Sequence, residues 1–255
     1  MSSVSMDFDG KVALIVGATG AIGAQTAQLF SAAGARLVLA GRDATAGAAL
    51  LAKVEEKGPE AIFVTCDVTD TASIRRMVDE AVDRFGRIDC AFNNAGWEGV
   101  AAESADISED DWQRMLDIKL SGTWRGLKYQ VRQMLAQGGT GAIVNMAGNW
   151  GLVGFPRYGA YCAASHGVMG LTRTAALEYA GAGIRVNAIC PGAVDTPMLD
   201  RMVGGDEGVK AAFAASIPAG RLALPSDVAQ AVLWLCSDRA AYVTGQGIQL
   251  TGGAQ

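Results

Sequence analysis

Basic runs, paired cysteines and long apolar stretches are all missing from this sequence, and each absence excludes a class of protein. With 21 Lys and Arg against 26 Asp and Glu, the net charge is −5, and no basic cluster offers a footprint to a nucleic acid. The five cysteines (66, 90, 162, 190 and 236) are odd in number, widely spaced and form no CxxC. They read as reduced, mostly buried thiols, not as a disulfide frame or a zinc site, and no metal is expected. No run reaches the roughly 18 apolar residues of a membrane-spanning helix. Met1 to Gly10 has neither a basic residue nor an apolar core for a secretory signal. The expectation is a soluble, cytoplasmic protein with no nucleic-acid or membrane partner.

Glycine and alternation are what the chain has in quantity. Its 33 glycines are roughly 13% of the residues against a usual ~7%, which points to many tight strand-to-helix turns. Half of the chain is apolar and 18% is charged, ample for one large core. Short apolar runs at 12–16, 36–40, 61–66, 88–92, 142–146, 184–189 and 247–250 read as strands. Helical periodicity fills 21–33, 44–56, 71–85, 109–136, 158–180 and 226–236. Runs without polar alternation, such as Val12 to Val16, suit strands buried on both faces. The expected fold is α/β: one doubly wound parallel sheet of about seven strands, helices on both faces, a single domain over 1–255. The strict alternation breaks at 193–218, where Gly, Pro, Asp and Met surround a short helix at 207–214. An insertion there is a candidate substrate lid.

The first strand runs into Gly17-Ala-Thr19-Gly20-Ala-Ile22-Gly23 and then a helix. That setting turns a weak glycine pattern into a dinucleotide site of Rossmann type. Glycines permit the tight turn, and the helix N-terminus offers free N–H groups to a pyrophosphate. An NAD site wants a carboxylate about 20 residues on, whereas an arginine accommodates the 2′-phosphate of NADP. The chain reads Gly41-Arg42-Asp43, and Asp43 suits the cap of the next helix. The expected cofactor is NADP(H), ahead of NAD(H).

Further motifs resemble the short-chain dehydrogenase/reductase family along nearly the whole chain. Asp67-Val68 is similar to its adenine-contacting pair. Asn93-Asn94-Ala95-Gly96 is similar to its NNAG segment, and Pro191-Gly192 with Thr196 to its nicotinamide-side turn. Tyr242-Val-Thr-Gly-Gln and Gly252-Gly253 match its C-terminal signature. The resemblance places Gly41 at the acidic position and Arg42 at the phosphate-pairing one. In standard-length members the middle glycine of the loop falls where this chain has Ala21, so GxxGxxG here resembles the longer branch. Family resemblance also implies a homo-oligomer, most simply a tetramer. Trp112, Met115, Trp124, Leu171, Leu177 and Tyr179 put apolar surface on more than one face of the 109–136 and 158–180 helices.

The family's catalytic set is asparagine, serine, tyrosine and lysine. Only the tyrosine remains, as Tyr161. Lys119 occupies the asparagine position, Gly148 the serine position, and Ser165 the lysine position one helical turn after Tyr161. A free tyrosine has a pKa near 10, so only about one in a thousand is ionised at pH 7. Without a cation, a phenol general base loses up to ~1.4 kcal/mol for each missing unit of depression, while a phenol general acid is already in the right form. On that basis reduction is favoured over oxidation. Two readings of Lys119 stand: a cation moved in from another helix, or a side chain filling drifted space. His166, the only histidine, reads as structural.

Trp97, Glu98, Asn149, Trp150, Phe155, Met198, Leu199, Met202 and Phe213 are candidate walls for a small-molecule pocket. Aromatic and Met-rich walls suit an apolar or aromatic substrate, and Glu98 is a candidate stand-in acid or base. Three functions are open at this point: an NADP-dependent carbonyl/alcohol oxidoreductase, a non-redox enzyme on the same scaffold, and a non-catalytic cofactor binder.

Overall fold

The computed structural model of the protein describes residues 6–56 and 58–254. The first half of the Met1–Gly10 stretch, residues 1–5, lies outside the described residues. Seven strands form one sheet: β1 (Val12–Val16), β2 (Arg36–Gly41), β3 (Ala61–Thr65), β4 (Cys90–Asn93), β5 (Gly141–Met146), β6 (Ile184–Pro191) and β7 (Gly247–Leu250). Their spatial order is β3-β2-β1-β4-β5-β6-β7, and every neighbouring pair is parallel. All five β1 residues are buried, as strands covered on both faces require. The fourth strand begins at Cys90, two residues later than expected; just before it the Asp89 carboxylate accepts the Val12 amide and pairs with Arg87.

One face of the sheet is covered by α1 (Ala21–Ala32), α2 (Ala44–Glu55) and α9 (Pro225–Cys236), whose Phe30, Leu50 and Val232 pack on Ile15, Leu37 and Val144. The other face carries α3 (Thr71–Phe85), α5 (Gly122–Ala136) and α6 (Gly159–Tyr179), which bring Met77, Leu127 and Ala175 onto Leu14, Val38 and Ile143. Aspartates start two of these helices: Asp43 accepts the Ala46 amide, and Asp70 accepts those of Ala72 and Ser73. Strand order reverses at β1, between β2 and β4, so the crevice past their C-terminal ends is where open α/β sheets take ligands.

The continuous helix expected over 109–136 is broken into α4 (Glu109–Met115), a π-helical turn at Leu116–Ser121, and α5. Within it the Gly122 amide reaches back to the Asp117 carbonyl, and the Thr123 hydroxyl takes the Lys119 carbonyl at 2.7 Å. A Cβ at Gly122 would come within 3.0 Å of Val68, so this close approach needs glycine. The 193–218 segment holds two helices, α7 (Pro197–Met202) and α8 (Glu207–Ser216). The first was not expected, although Thr196 as cap and Pro197 at the first position are a legible start signal. Among the described residues, no helix is long and apolar enough to cross a membrane.

Candidate active site

The turn from β1 into α1 is built around missing side chains. Gly17 has φ +77°, and a Cβ on it would lie 2.8 Å from the Ala95 amide nitrogen. A Cβ on Gly23 would collide with the Gly17 carbonyl. Gly20 has no such constraint, since its Cβ would meet only the Gly17 oxygen at 3.6 Å. No side chain caps α1, so its first-turn N–H groups stay available at the loop. Asn94 closes the cradle by donating to the Gly17 carbonyl at 3.1 Å, with Ala95 and Gly96 following it. Free first-turn amides presented by a loop that only glycine lets fold this tightly fit a dinucleotide pyrophosphate.

At the end of β2, Gly41 is buried against Thr19, where a Cβ would stand 3.1 Å from the hydroxyl and 3.3 Å from the methyl. A carboxylate at position 41 would have to displace Thr19. Arg42 is exposed beside it and makes no ion pair among the described residues. The Asp67 carboxylate accepts the Thr69 amide and hydroxyl, and the first of these is the main reason it lies below the usual range. Val68 packs on Gly122, while Ile22 is half-buried in α1. Pro191 ends β6, Gly192 follows, and Thr196 caps α7 by accepting the Leu199 amide.

Tyr161 lies on α6, half-buried, with its hydroxyl 3.3 Å from the ammonium of Lys119. The same ammonium donates to the Met146 carbonyl at 3.3 Å and stands 4.4 Å from the centre of the Tyr161 ring. Lys119 is only 2% exposed. Gly148 has φ +79°, and a Cβ there would be 3.3 Å from the Tyr161 oxygen. Ser165 is fully buried, and its hydroxyl has no hydrogen-bond partner. His166 is exposed and bonds only its own helix, through the Cys162 carbonyl.

Aromatic rings wall the site on one side. Trp150 stacks on Phe155 at 4.3 Å, meets Tyr158 at 4.9 Å and stands edge-on to Tyr161 at 5.2 Å. Trp97 packs near Tyr161 with the Arg114 guanidinium over its ring. Asn149 is tied to β7 through Gln249. A cavity of about 10 Å³ beside Tyr161 is lined by Glu98, Val100, Ile107, Met115 and Tyr158. Glu98, the candidate stand-in acid or base, is engaged by another side chain. It is bound by Arg201 of α7, and that hydrogen bond is the main reason its carboxyl lies below the usual range. Met198 and Met202 are half-buried in α7, while Leu199 and Phe213 pack within the 193–218 segment itself. A larger cavity, about 670 Å³, opens at the opposite end of the sheet near Asp89, Thr140, Arg185 and Tyr242, away from all of these groups.

Sequence reasoning missed one polar assembly. Asn93, Gln130 and Asn145 are buried and joined by hydrogen bonds of 2.7–3.0 Å, and Asn145 continues to Thr172. The network locks β4 and β5 to α5 and α6 beneath the site. Buried amides at the C-terminal ends of adjacent strands were its only signal.

Residues 17–255 match the family model described as "Enoyl-(Acyl carrier protein) reductase". A 2,5-dichloro-2,5-cyclohexadiene-1,4-diol dehydrogenase of Sphingobium indicum is 38% identical over 97% of this chain and 98% of its own. The chain belongs to the short-chain dehydrogenase/reductase family. Among solved structures, an NAD+-bound xylitol dehydrogenase superposes with a TM-score of 0.92, at 36% identity over 96% of this chain and 99% of the other. A variant of the actinorhodin polyketide ketoreductase with NADPH does so at 0.90, with 36% identity over 95% and 96%. As a short-chain dehydrogenase/reductase, the protein is an oxidoreductase enzyme with a site for a nicotinamide dinucleotide.

Proposed function

We propose that this enzyme interconverts a carbonyl and an alcohol on a small apolar or aromatic ring compound, with NADP(H) as cofactor and Tyr161 as the proton-transfer group. The observation that carries the reading is the Tyr161 phenol, edge-on to Trp150 and within 3.3 Å of the Lys119 ammonium. Flat walls from Trp150, Phe155 and Tyr158 favour a flat or ring-shaped substrate, in line with the cyclohexadiene-diol relative.

Gly17, Thr19, Gly20, Ile22 and Gly23 would hold the pyrophosphate, Asp67 and Val68 the adenine, and Asn94, Ala95, Gly96, Pro191, Gly192 and Thr196 the nicotinamide half. Arg42 would pair with a 2′-phosphate, and Gly41 offers no carboxylate to a 2′-hydroxyl, which supports NADP(H). A bound nicotinamide supplies the two electrons and the hydrogen exchanged at the substrate carbon. Tyr161 gives its proton to the carbonyl oxygen in reduction and takes one from the hydroxyl in oxidation. The preference for reduction rested on a missing cation. An ammonium stands 3.3 Å from the phenol, so that preference loses its basis.

The 193–218 segment serves as a lid, fastened by Arg201 on Glu98. Exposed Trp112, Trp124 and Leu177 support a homo-oligomer, read as a tetramer, and unpaired cysteines support a cytoplasmic location. The test is fluorescence titration with NADPH and NADH, then turnover on a panel of cyclic ketones and alcohols. Binding without turnover on any of them would overturn the redox reading in favour of non-redox chemistry.

A further inference from the structure

We propose that Lys119 is the cation that balances the phenolate formed whenever Tyr161 gives up its proton, supplied from the π-helical turn and not from the helix that carries the tyrosine. The inference rests on the reading of Tyr161 as the proton-transfer group.

Lys119 sits where a filler residue would be apolar. Its side chain is 2% exposed, and its ammonium has three N–H donors but only two acceptors, the Met146 carbonyl and the Tyr161 hydroxyl. Both acceptors are neutral, and among the described residues no carboxylate pairs with it. Burying an ammonium without a counter-anion is unfavourable, and a leucine or methionine would fill the same space without that penalty. Among the described residues, the anion in hydrogen-bond reach of this position is the Tyr161 phenolate. Contact at 3.3 Å to the oxygen and 4.4 Å to the ring centre serves both charge states: a cation over a π face before proton loss, an ion pair after it.

The surroundings leave this task to Lys119 alone. Gly148 brings no side chain to the phenol oxygen, and the Ser165 hydroxyl on the same helix is unpartnered. Among the described residues, Lys119 is the only hydrogen-bond partner of the Tyr161 hydroxyl. Other titratable groups face the pair from β6 (Cys190), from α6 (Tyr158), and across the small cavity (Glu98 and Asp111). Cys190 stays a thiol, since burial pushes it up to about 11 although Lys119 pulls the other way. Glu98 is held by Arg201. On the turn itself, Asp117 lies beside Arg125. In oxidation the Tyr161 phenolate would take the substrate hydroxyl proton and pass it on to solvent, while the carbinol carbon would give up its hydrogen with two electrons to a bound oxidised nicotinamide; reduction would run the reverse, with the phenolate reprotonated from solvent.

The experiment compares wild type with Lys119→Met, Lys119→Arg and Tyr161→Phe. In an ultraviolet pH titration, the tyrosinate absorbance that Tyr161→Phe deletes should emerge at lower pH in wild type than in Lys119→Met. Alcohol oxidation at pH 7 should fall at least ~10-fold in Lys119→Met and recover as pH rises, with most of it kept in Lys119→Arg. NADPH affinity should stay within about twofold, because the ammonium acts on the phenol and not on the phosphate cradle. Identical absorbance titrations, or a loss of activity independent of pH, would overturn the proposal. Should Lys119→Met fail to fold, wild type against Tyr161→Phe decides: a Tyr161 component emerging no earlier than the other tyrosines overturns it. The absorbance arm needs no turnover, so it reads the cation even if the redox reading fails. Turnover that is absent in the wild type sinks only that reading.

Discussion

Arg201 grips Glu98 through two hydrogen bonds, Nε to Oε1 at 2.5 Å and a terminal nitrogen to Oε2 at 3.0 Å, and so fastens α7 to the loop after β4. The paired geometry is favourable, yet Arg201 is 57% exposed, which limits the latch to roughly 0.5–1 kcal/mol. Glu98→Gln should therefore raise KM for the substrate about twofold to fivefold and speed hydrogen exchange across 197–216. The pH sign follows from the lowered Glu98 carboxyl. Its contribution is in full force above the ordinary glutamate value near 4.3 and fades as pH falls through the depressed folded value. The latch thus holds at neutral pH and opens only in acid. Unchanged exchange in the variant would remove the lid from the account.

On the proposed NADP(H) reading, cofactor choice turns on two neighbours, Arg42 and the Thr19–Gly41 contact. Arg42→Ala should weaken NADPH by about tenfold or more, the loss of a charge-assisted hydrogen bond of ~1.5–3 kcal/mol, and leave NADH nearly untouched. Gly41→Asp alone should not create good NADH binding, because its Cβ would meet Thr19 at 3.1 Å. Adding Thr19→Ala should improve NADH binding over the single variant. Equilibrium titration of both cofactors reads all three. Wild-type preference for NADH would end the NADP assignment.

Gly148→Ser looks on paper like a repair of the missing serine. The backbone argues otherwise, since φ +79° with ψ 159° is a conformation open essentially to glycine alone, where a side chain is unfavourable by about 1–3 kcal/mol. The new Cβ would also press to 3.3 Å from the Tyr161 oxygen. We expect denaturant unfolding to show a loss of that size and turnover not to rise. A stable variant with higher turnover would show that the loop relaxes freely.

That contrast marks how far the sequence could be read. The seven strands and their helices were legible because buried runs such as Val12–Val16 and capped starts such as Asp43 and Asp70 are local signals. The glycine cradle was legible for the same reason, since its spacing is a property of one turn. What escaped was set by pairs far apart in the chain: Glu98 with Arg201, Thr19 with Gly41, and Asn93 with Gln130 and Asn145. The π turn escaped because 109–136 keeps helical periodicity throughout. Lys119 could be flagged at its position, but only the fold brings it to Tyr161.

Exposed apolar side chains give a separate test of assembly. Trp124 is 47% exposed on α5 and Leu177 is 86% exposed on α6, and a homo-oligomer would cover such large apolar side chains. Trp124→Glu and Leu177→Asp should lower the mass seen by light scattering at micromolar concentration. The isolated chain should keep its fold, since neither residue belongs to the buried core. A wild-type monomer at that concentration would refute the tetramer.

Ser165 separates stability from binding. Its hydroxyl is buried with no partner, a state that is unfavourable by roughly 1–3 kcal/mol unless something else supplies the bond. Ser165→Ala removes the group and leaves a methyl in an apolar niche beside Ala164 and Val168, so the free protein should melt no lower than wild type and, on this reasoning, higher. If a bound cofactor is the missing partner, the same change should reduce the thermal shift produced by saturating NADPH, because stabilisation by a ligand scales with its affinity. Opposite signs in the free and loaded states are hard to obtain from packing alone. Parallel melting curves, with and without NADPH, measure both. A fall in the free protein would mean the hydroxyl is satisfied within the fold, and an unchanged NADPH shift would mean the cofactor does not touch it.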